Sequence, residues 1–437
     1  MKRFVSIFLL LICLGHGLQA QQLHKVKKKE TLWSISRQYG LTVDELVAAN
    51  PSMRSSDYKL QKGSLLTIPA PGPADPAPEK APSELERLDV AVLLPLEASG
   101  SEGNRSIEFY RGLLMAAKVA ARASGKEINV TCFNEPPTGA SLDETLSRLR
   151  QKDFHLIAGP VYPSHFSALS DFVRGRHTRL VVPFSSKVGE VKNNANVVLL
   201  NTPDGYEWLY ASRLLNQHFA DVSRVVRIRT REAGQQACAD YIAHSFSERG
   251  VDVREVGADF RDAEMLAAVS RSGHTLFLPD CESREELEKL LASLRRFRQS
   301  AAGLKTSLVG FPAWQEWFAQ CNAELAVQDT YIFSSSHYDA GSPETVDFVH
   351  RYKTWSHADL LPVSPRMALL GYDAARFLFT LLLQKGADAS LSATVSVPLL
   401  QSDFAFGQLA GGGYINKGIF LLHAEPGGRL VRTAVNK

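Results

Sequence analysis

The chain has 437 residues, with 49 Lys and Arg against 46 Asp and Glu. That near-cancellation excludes a whole-chain footprint for nucleic acid, which needs a clustered excess of positive charge. At about 100–200 residues per domain, the length calls for two or three folding units with ample core.

Lys2 and Arg3, the apolar run Phe4 to Leu14 and the small residues from Gly17 to Ala20 read as a signal peptide over residues 1–20, removed before Gln21. Ile12 before Cys13 is too large for a lipid-modified cysteine. No later run reaches the roughly 20 apolar residues a bilayer requires, so no transmembrane segment is expected in the mature chain. Four cysteines remain there, Cys132, Cys238, Cys281 and Cys321. Their spacing excludes a zinc motif. An oxidising compartment permits a Cys281–Cys321 disulfide, with unpaired buried thiols as the simpler alternative.

Residues 23–69 read as a βααβ unit. A short strand, His24 to Lys27, precedes a helix with Leu32, Ile35 and Tyr39 at helical spacing, which Gly40 ends. Thr42 and Glu45 form a capping box for a second helix carrying Val43, Leu46 and Val47. Lys62-Gly63 then turns the chain into a closing strand, Leu65 to Ile68. Lys25, Lys27, Lys28 and Lys29 make either a solvated face or a surface for an anionic wall polymer.

The order of these elements, the segment Glu30-Thr31-Leu32-Trp33-Ser34-Ile35, the stretch ending in Asn50-Pro51 and the final Ile68-Pro69 together resemble a LysM domain. The resemblance implies binding of N-acetylglucosamine-containing glycan, hence peptidoglycan, in a shallow groove. Its walls would be Glu30, Thr31, Leu32 and Trp33 on one side and Asn50, Pro51, Ser52 and Met53 on the other. Lys29-Glu30 stands where the family commonly has glycine then aspartate.

Residues 70–87 open with APGPADPAPEKAPS, a proline-rich spacer that favours extended polyproline II. From residue 88, short apolar runs alternate with helical patterns. Strands are predicted at Leu88 to Leu96, Ile128 to Phe133, Phe154 to Ala158, Leu180 to Phe184 and Val197 to Leu200. A second series follows at Val225 to Ile228, Thr275 to Leu278, Ser307 to Val309 and Tyr331 to Phe333. Runs buried on both faces belong to parallel sheets, and two series imply two doubly wound lobes in an α/β fold. One strand fits poorly: Arg227 and Arg229 fall on one face of Arg224 to Arg231. Either it is an edge strand, with its charges solvated or paired, or its arginines face an anionic partner.

Val92-Leu93-Leu94-Pro95-Leu96, Phe109 to Ala117, Ile157-Ala158-Gly159-Pro160-Val161 and Val182-Pro183-Phe184-Ser185-Ser186 resemble a type I periplasmic-binding-protein fold over residues 88–437. That family threads three times between lobes. The resemblance therefore implies lobe 1 at about 88–205 and 336–395 and lobe 2 at about 206–335 and 396–437, the latter with the Gly411-Gly412-Gly413 turn. It also implies a ligand cleft at Pro95, Leu96, Gly159, Pro160, Tyr162, Ser185 and Ser186, with Tyr338 and Asp339 as further candidates. Hydroxyls and exposed amides there suit an anionic or amphoteric ligand. Turn geometry and strand burial explain the same residues without one.

No H-E-x-x-H, H-x-H, G-x-S-x-G or G-x-x-x-x-G-K-[ST] pattern occurs, and His350 and His357 read as helix surface. No catalytic residue, metal site or cofactor is expected. The expectation is a non-catalytic exported protein of the periplasm or cell envelope, tethered to peptidoglycan. Its binding-protein-like module would serve ligand sensing, scaffolding or regulation of envelope machinery, with a small amphoteric ligand or an envelope protein as partner. The alternative is a solute receptor for amino acids, peptides or wall fragments feeding an ABC importer.

Overall fold

The computed structural model describes residues 22–27, 30–38, 46–47, 49–50, 53, 60–68, 85–187, 189–232, 234–393, 395–410 and 412–433. The expected signal peptide, Thr42–Glu45 capping box and residues 70–84 of the spacer lie outside these, as do Lys28, Lys29, Tyr39, Gly40, Pro51, Ser52, Pro69 and Gly411. The chain divides near residue 79 into two compact units.

In the first unit, β1 (Gln22–Lys25) pairs antiparallel with β2 (Leu65–Ile68), His24 opposite Leu66. The helix α1 (Leu32–Gln38) follows β1, and Leu46, Val47 and Ala49 are helical. Val26, Ile35, Leu46, Met53, Leu66 and Ile68 form the core. So small a core gives turns and caps a large share of the stability.

The second unit holds two seven-stranded sheets. Its first half runs β3 (Arg87–Leu94), α2 (Gly100–Ser124), β4 (Glu127–Asn134), α3 (Asp143–Leu149), β5 (Leu156–Ala158), α4 (Pro163–Val173), β6 (Arg179–Val182) and β7 (Val197–Leu199). The chain continues through α5 (Asp204–His218), β8 (Val222–Arg229), α6 (Gln236–Glu248), β9 (Asp252–Gly257), α7 (Asp262–Ala268), β10 (His274–Pro279), α8 (Arg284–Ser300), β11 (Thr306–Gly310), α9 (Trp314–Val327) and β12 (Thr330–Ser334). It closes with α10 (Pro343–Ser356), α11 (Met367–Lys385), β13 (Phe406–Gln408), β14 (Tyr414–Asn416), β15 (Phe420–Glu425) and β16 (Arg429–Arg432).

The first sheet has the order β13-β14-β7-β6-β5-β3-β4 and the second β16-β15-β12-β11-β10-β8-β9. Strands β3 to β7 are mutually parallel, as are β8 to β12, and β14 joins β7 in parallel; β13 pairs antiparallel with β14, and β15 antiparallel with both β12 and β16. Burial on both faces explains the unbroken apolar runs. In β3, Leu88, Val90, Val92 and Leu94 pack under α2 and α11, while Ala91 and Leu93 face α3 and α4.

The helix α11 is long and apolar enough to cross a membrane by composition, yet 83% of its apolar window is buried inside this unit. It crosses α2 where Gly112 and Gly371 meet: a Cβ on Gly112 would sit 1.9 Å from the Ala368 carbonyl oxygen, and one on Gly371 2.1 Å from that of Phe109.

Three expectations are corrected here. Residues 406–416 (β13 and β14) join the first sheet, so the chain returns to the second only at β15; a strand pair added to the β7 edge is invisible to a reading that assigns the closing stretch as one block. Nor is β8 an edge strand, since it lies between β10 and β9 with Arg227 2% exposed. Carboxylates on neighbouring elements make that burial tolerable. Arg227 pairs with Asp240 at 3.1 Å and Asp280 at 3.3 Å and donates to the Leu278 carbonyl at 2.5 Å; Arg229 pairs with Asp240 at 3.0 Å and Glu255 at 2.9 Å. The four cysteines of the second unit are free thiols, so Cys281 and Cys321 are not bridged.

The helix α5 belongs to both lobes. Tyr206 and Tyr210 sit against the first-lobe core with Leu409 and Ile415, while Trp208, Ala211 and Leu215 pack in the core of the second. The later crossovers are cross-linked too. His337 bonds Gln315 at 3.0 Å and the Leu430 carbonyl at 3.0 Å, its amide donates to Gln401, and Ser336 bridges Ser402. Behind them, buried Asp373 accepts the consecutive amides of Leu400, Gln401 and Ser402 at 2.7, 2.9 and 2.9 Å.

Candidate functional site

In the first unit, the residues expected to form the groove divide by role. Thr31 caps α1: its Oγ1 accepts the Ser34 amide at 3.1 Å while Ser34 Oγ accepts the Thr31 amide at 2.9 Å, a reciprocal cap. Glu30 turns inward, accepting from the Lys27 amide at 2.6 Å and bonding His24 Nε2 at 2.8 Å. The backbone bond from Lys27 comes first among the causes that hold its carboxyl below the usual range.

Asn50 is buried rather than available. Its Nδ2 donates to the carbonyls of Leu46 and Thr67, each at 2.8 Å, and its Oδ1 accepts the Thr67 amide at 2.8 Å. With both ends of the amide spent, Asn50 ties the second helical segment to β2. Met53 is a core residue, and Leu32 packs partly against that core. The LysM resemblance implied a glycan contact for Asn50, and in a string an exposed and a clamped asparagine look alike. Trp33 lies in α1, and Lys25 and Lys27 are exposed.

In the second unit, the expected cleft residues gather at the carboxyl ends of the first-lobe strands, where open α/β sheets take ligands. Pro95 is buried and Leu96 half-buried after β3. Gly159 follows β5 with φ +133°, and a Cβ there would lie 2.0 Å from the Leu93 carbonyl oxygen, so only glycine fits beside β3. Pro160 is buried. The Tyr162 hydroxyl donates to Glu102 at 3.0 Å. Ser185 Oγ accepts the Lys187 amide at 3.1 Å, and Ser186 is exposed. Tyr338 lies under the Arg366 guanidinium at 4.8 Å, away from these loops in the chain path; exposed Asp339 accepts the Gly341 amide at 2.9 Å and shapes the turn into α10.

After β5, two successive amides, one of them that of Tyr162, are taken. Glu135, 1% exposed at the end of β4, accepts the Val161 amide at 2.8 Å and the Tyr162 amide at 3.0 Å. His165 Nδ1 lies 2.9 Å from the same carboxyl, and its Nε2 donates to the Ala140 carbonyl at 3.2 Å. With both ring nitrogens engaged, His165 has no lone pair directed at a nucleophile. Burial pushes the Glu135 carboxyl up against the lowering pull of these bonds.

The second lobe repeats the pattern after β8. The Thr230 amide donates to buried Asp280 at 2.7 Å, and the Arg231 and Glu232 amides both donate to Glu286 at 3.0 Å. Glu135, Asp280 and Glu286 were all missed in the sequence. The available signal was a carboxylate directly after, or a few residues beyond, a predicted strand end.

Residues 24–69 match the LysM domain family. This part of the chain is a LysM domain. The remainder has the two-lobed fold of type I periplasmic binding proteins. A protein from Rhodospirillum rubrum described as a branched-chain amino acid ABC transporter superposes at TM-score 0.56 with 15% identity, over 79% of this chain and all of its own. LpoA from Haemophilus influenzae superposes at TM-score 0.52 with 10% identity, over 80% of this chain and 59% of its own. At such identities the likeness concerns the fold alone. No curated protein is similar enough in sequence to count as a relative.

Beyond the LysM domain and the strand ends, a groove of about 440 Å³ lies between α8 and α9. Its charged lining is partly paired, Arg295 with Glu324 at 2.7 Å, and it sits along the helices rather than at the strand ends. Among the described residues no three His, Cys, Asp or Glu side chains gather as metal ligands.

Proposed function

We propose that the protein is an exported, non-catalytic component of the cell envelope. It holds peptidoglycan through its LysM domain and presents the two-lobed module as a platform for scaffolding or regulating envelope machinery. The LysM match over residues 24–69 carries this reading, since a wall tether suits a local platform better than a diffusing carrier. The shared helix α5 and the cross-linked crossovers favour a module that keeps its shape. Sedimentation with purified sacculi tests the tether. The mature chain pellets, and a chain lacking residues 21–72 stays in the supernatant; failure of the mature chain to pellet refutes it.

The fold shared with the Rhodospirillum rubrum protein favours one second reading, a solute receptor for amino acids, peptides or wall fragments. It requires saturable ligand binding with lobe closure, measurable by small-angle scattering and weakened by Ser185→Ala or Ser186→Ala.

A further inference from the structure

Five backbone amides at the strand ends of the two lobes, those of Val161, Tyr162, Thr230, Arg231 and Glu232, point at carboxylates of the chain itself. Paired amides at a turn form a concave, positively polarised cradle for an anion. In each lobe that cradle is already filled. We propose that the module is closed to small carboxylate ligands by its own side chains: Glu135 in the first lobe, and Asp280 with Glu286 in the second, are built-in ligands that occupy the anion cradles in cis.

The first lobe carries the argument furthest. Glu135 reaches across from β4 to the loop after β5, and its two oxygens divide between the Val161 and Tyr162 amides, the arrangement a free carboxylate would adopt. His165, itself held by the Ala140 carbonyl, braces it from behind, so the cradle is built, buried and satisfied. An incoming carboxylate must displace a partner whose effective concentration is set by covalent attachment, far above that of a dissolved solute. In the second lobe, Arg227 fixes Asp280, and Glu286 lies in the first turn of α8, where the helix dipole favours its charge. The inference deepens the platform reading of this module, and it is independent of the tether: loss of sacculus binding would leave it intact.

Chemical rescue tests it on the full chain. Glu135→Ala should lower the melting temperature by a few degrees, and sodium formate or acetate should restore it saturably, well beyond equimolar sodium chloride, because the small anion enters the vacated cradle. Glu135→Gln fills the space and should show no formate response. The wild-type chain should show no saturable shift with formate, acetate, glycine or leucine. A folded Glu135→Ala variant that ignores formate overturns the inference, as does a saturable wild-type response to any of these carboxylates. Should Glu135→Ala fail to fold, the wild-type titration decides by itself.

Discussion

Asp373→Asn sets two opposed effects against each other at a single carboxyl. Three backbone amides converge on Asp373, and such bonds lower a carboxyl pKa. The residue is wholly buried, however, and burial outweighs them, pushing it from an ordinary 3.8 up to about 6. At ~1.4 kcal/mol per pH unit, the native state then holds this proton more tightly than the unfolded chain by about 3 kcal/mol. Because the folded pKa is raised, that stability is fully present below 3.8 and is lost as pH rises through about 6. The assay is urea unfolding of the full chain at a series of pH values, followed by tryptophan fluorescence, for which Trp208, Trp314, Trp317 and Trp355 report on this unit. The wild-type stability minus that of Asp373→Asn should fall by about 2 kcal/mol between roughly pH 4 and 7.5. A difference that rises with pH would show that the amides prevail over burial and would refute the reasoning; a flat one would show that Asp373 does not titrate in this window.

Arg227→Met should cost about 3–5 kcal/mol, since it leaves the fully buried Asp280 short of its nearer, buried guanidinium partner, with only the more exposed Arg229 left at 3.6 Å. Adding Asp280→Asn should recover part of that loss in a double-mutant cycle read from urea midpoints, whereas a cost under ~1 kcal/mol for Arg227→Met would mean that Asp280 is held by other groups. Asn50→Ala removes three hydrogen bonds and leaves the Thr67 amide and carbonyl without their partner, a loss of about 2–4 kcal/mol that a unit this small cannot absorb. The variant should lose sacculus binding together with its amide chemical-shift dispersion. Retained dispersion with lost binding would restore Asn50 as a glycan contact.

The α/β class and most strands of the two parallel series were legible because burial on both faces leaves continuous apolar runs, as in β3 and β10. The strand β9 was not: Asp252, Arg254 and Glu255 mark it as an exposed edge, and charged edges do not read as strands. Arg227 misled in the opposite sense, because its partners Asp240 and Asp280 lie 13 and 53 positions away and only the folded chain brings them near. At Gly159, among the residues expected to line the cleft, the positive φ and the contact with Leu93 explain the glycine without a ligand. Glu135 escaped notice for a related reason: a carboxylate that satisfies amides 26 and 27 positions away has no local pattern.

The helix α5 has a consequence for how this module can be divided. With Tyr206 and Tyr210 facing one core and Ala211 and Leu215 the other, separating the lobes strips an apolar stripe from whichever half keeps the helix and opens a trench in the half that loses it. The halves should therefore melt as a single calorimetric event. Fragments cut at residue 203 should aggregate instead of folding, and a split-protein reporter built on this scaffold would need its break elsewhere.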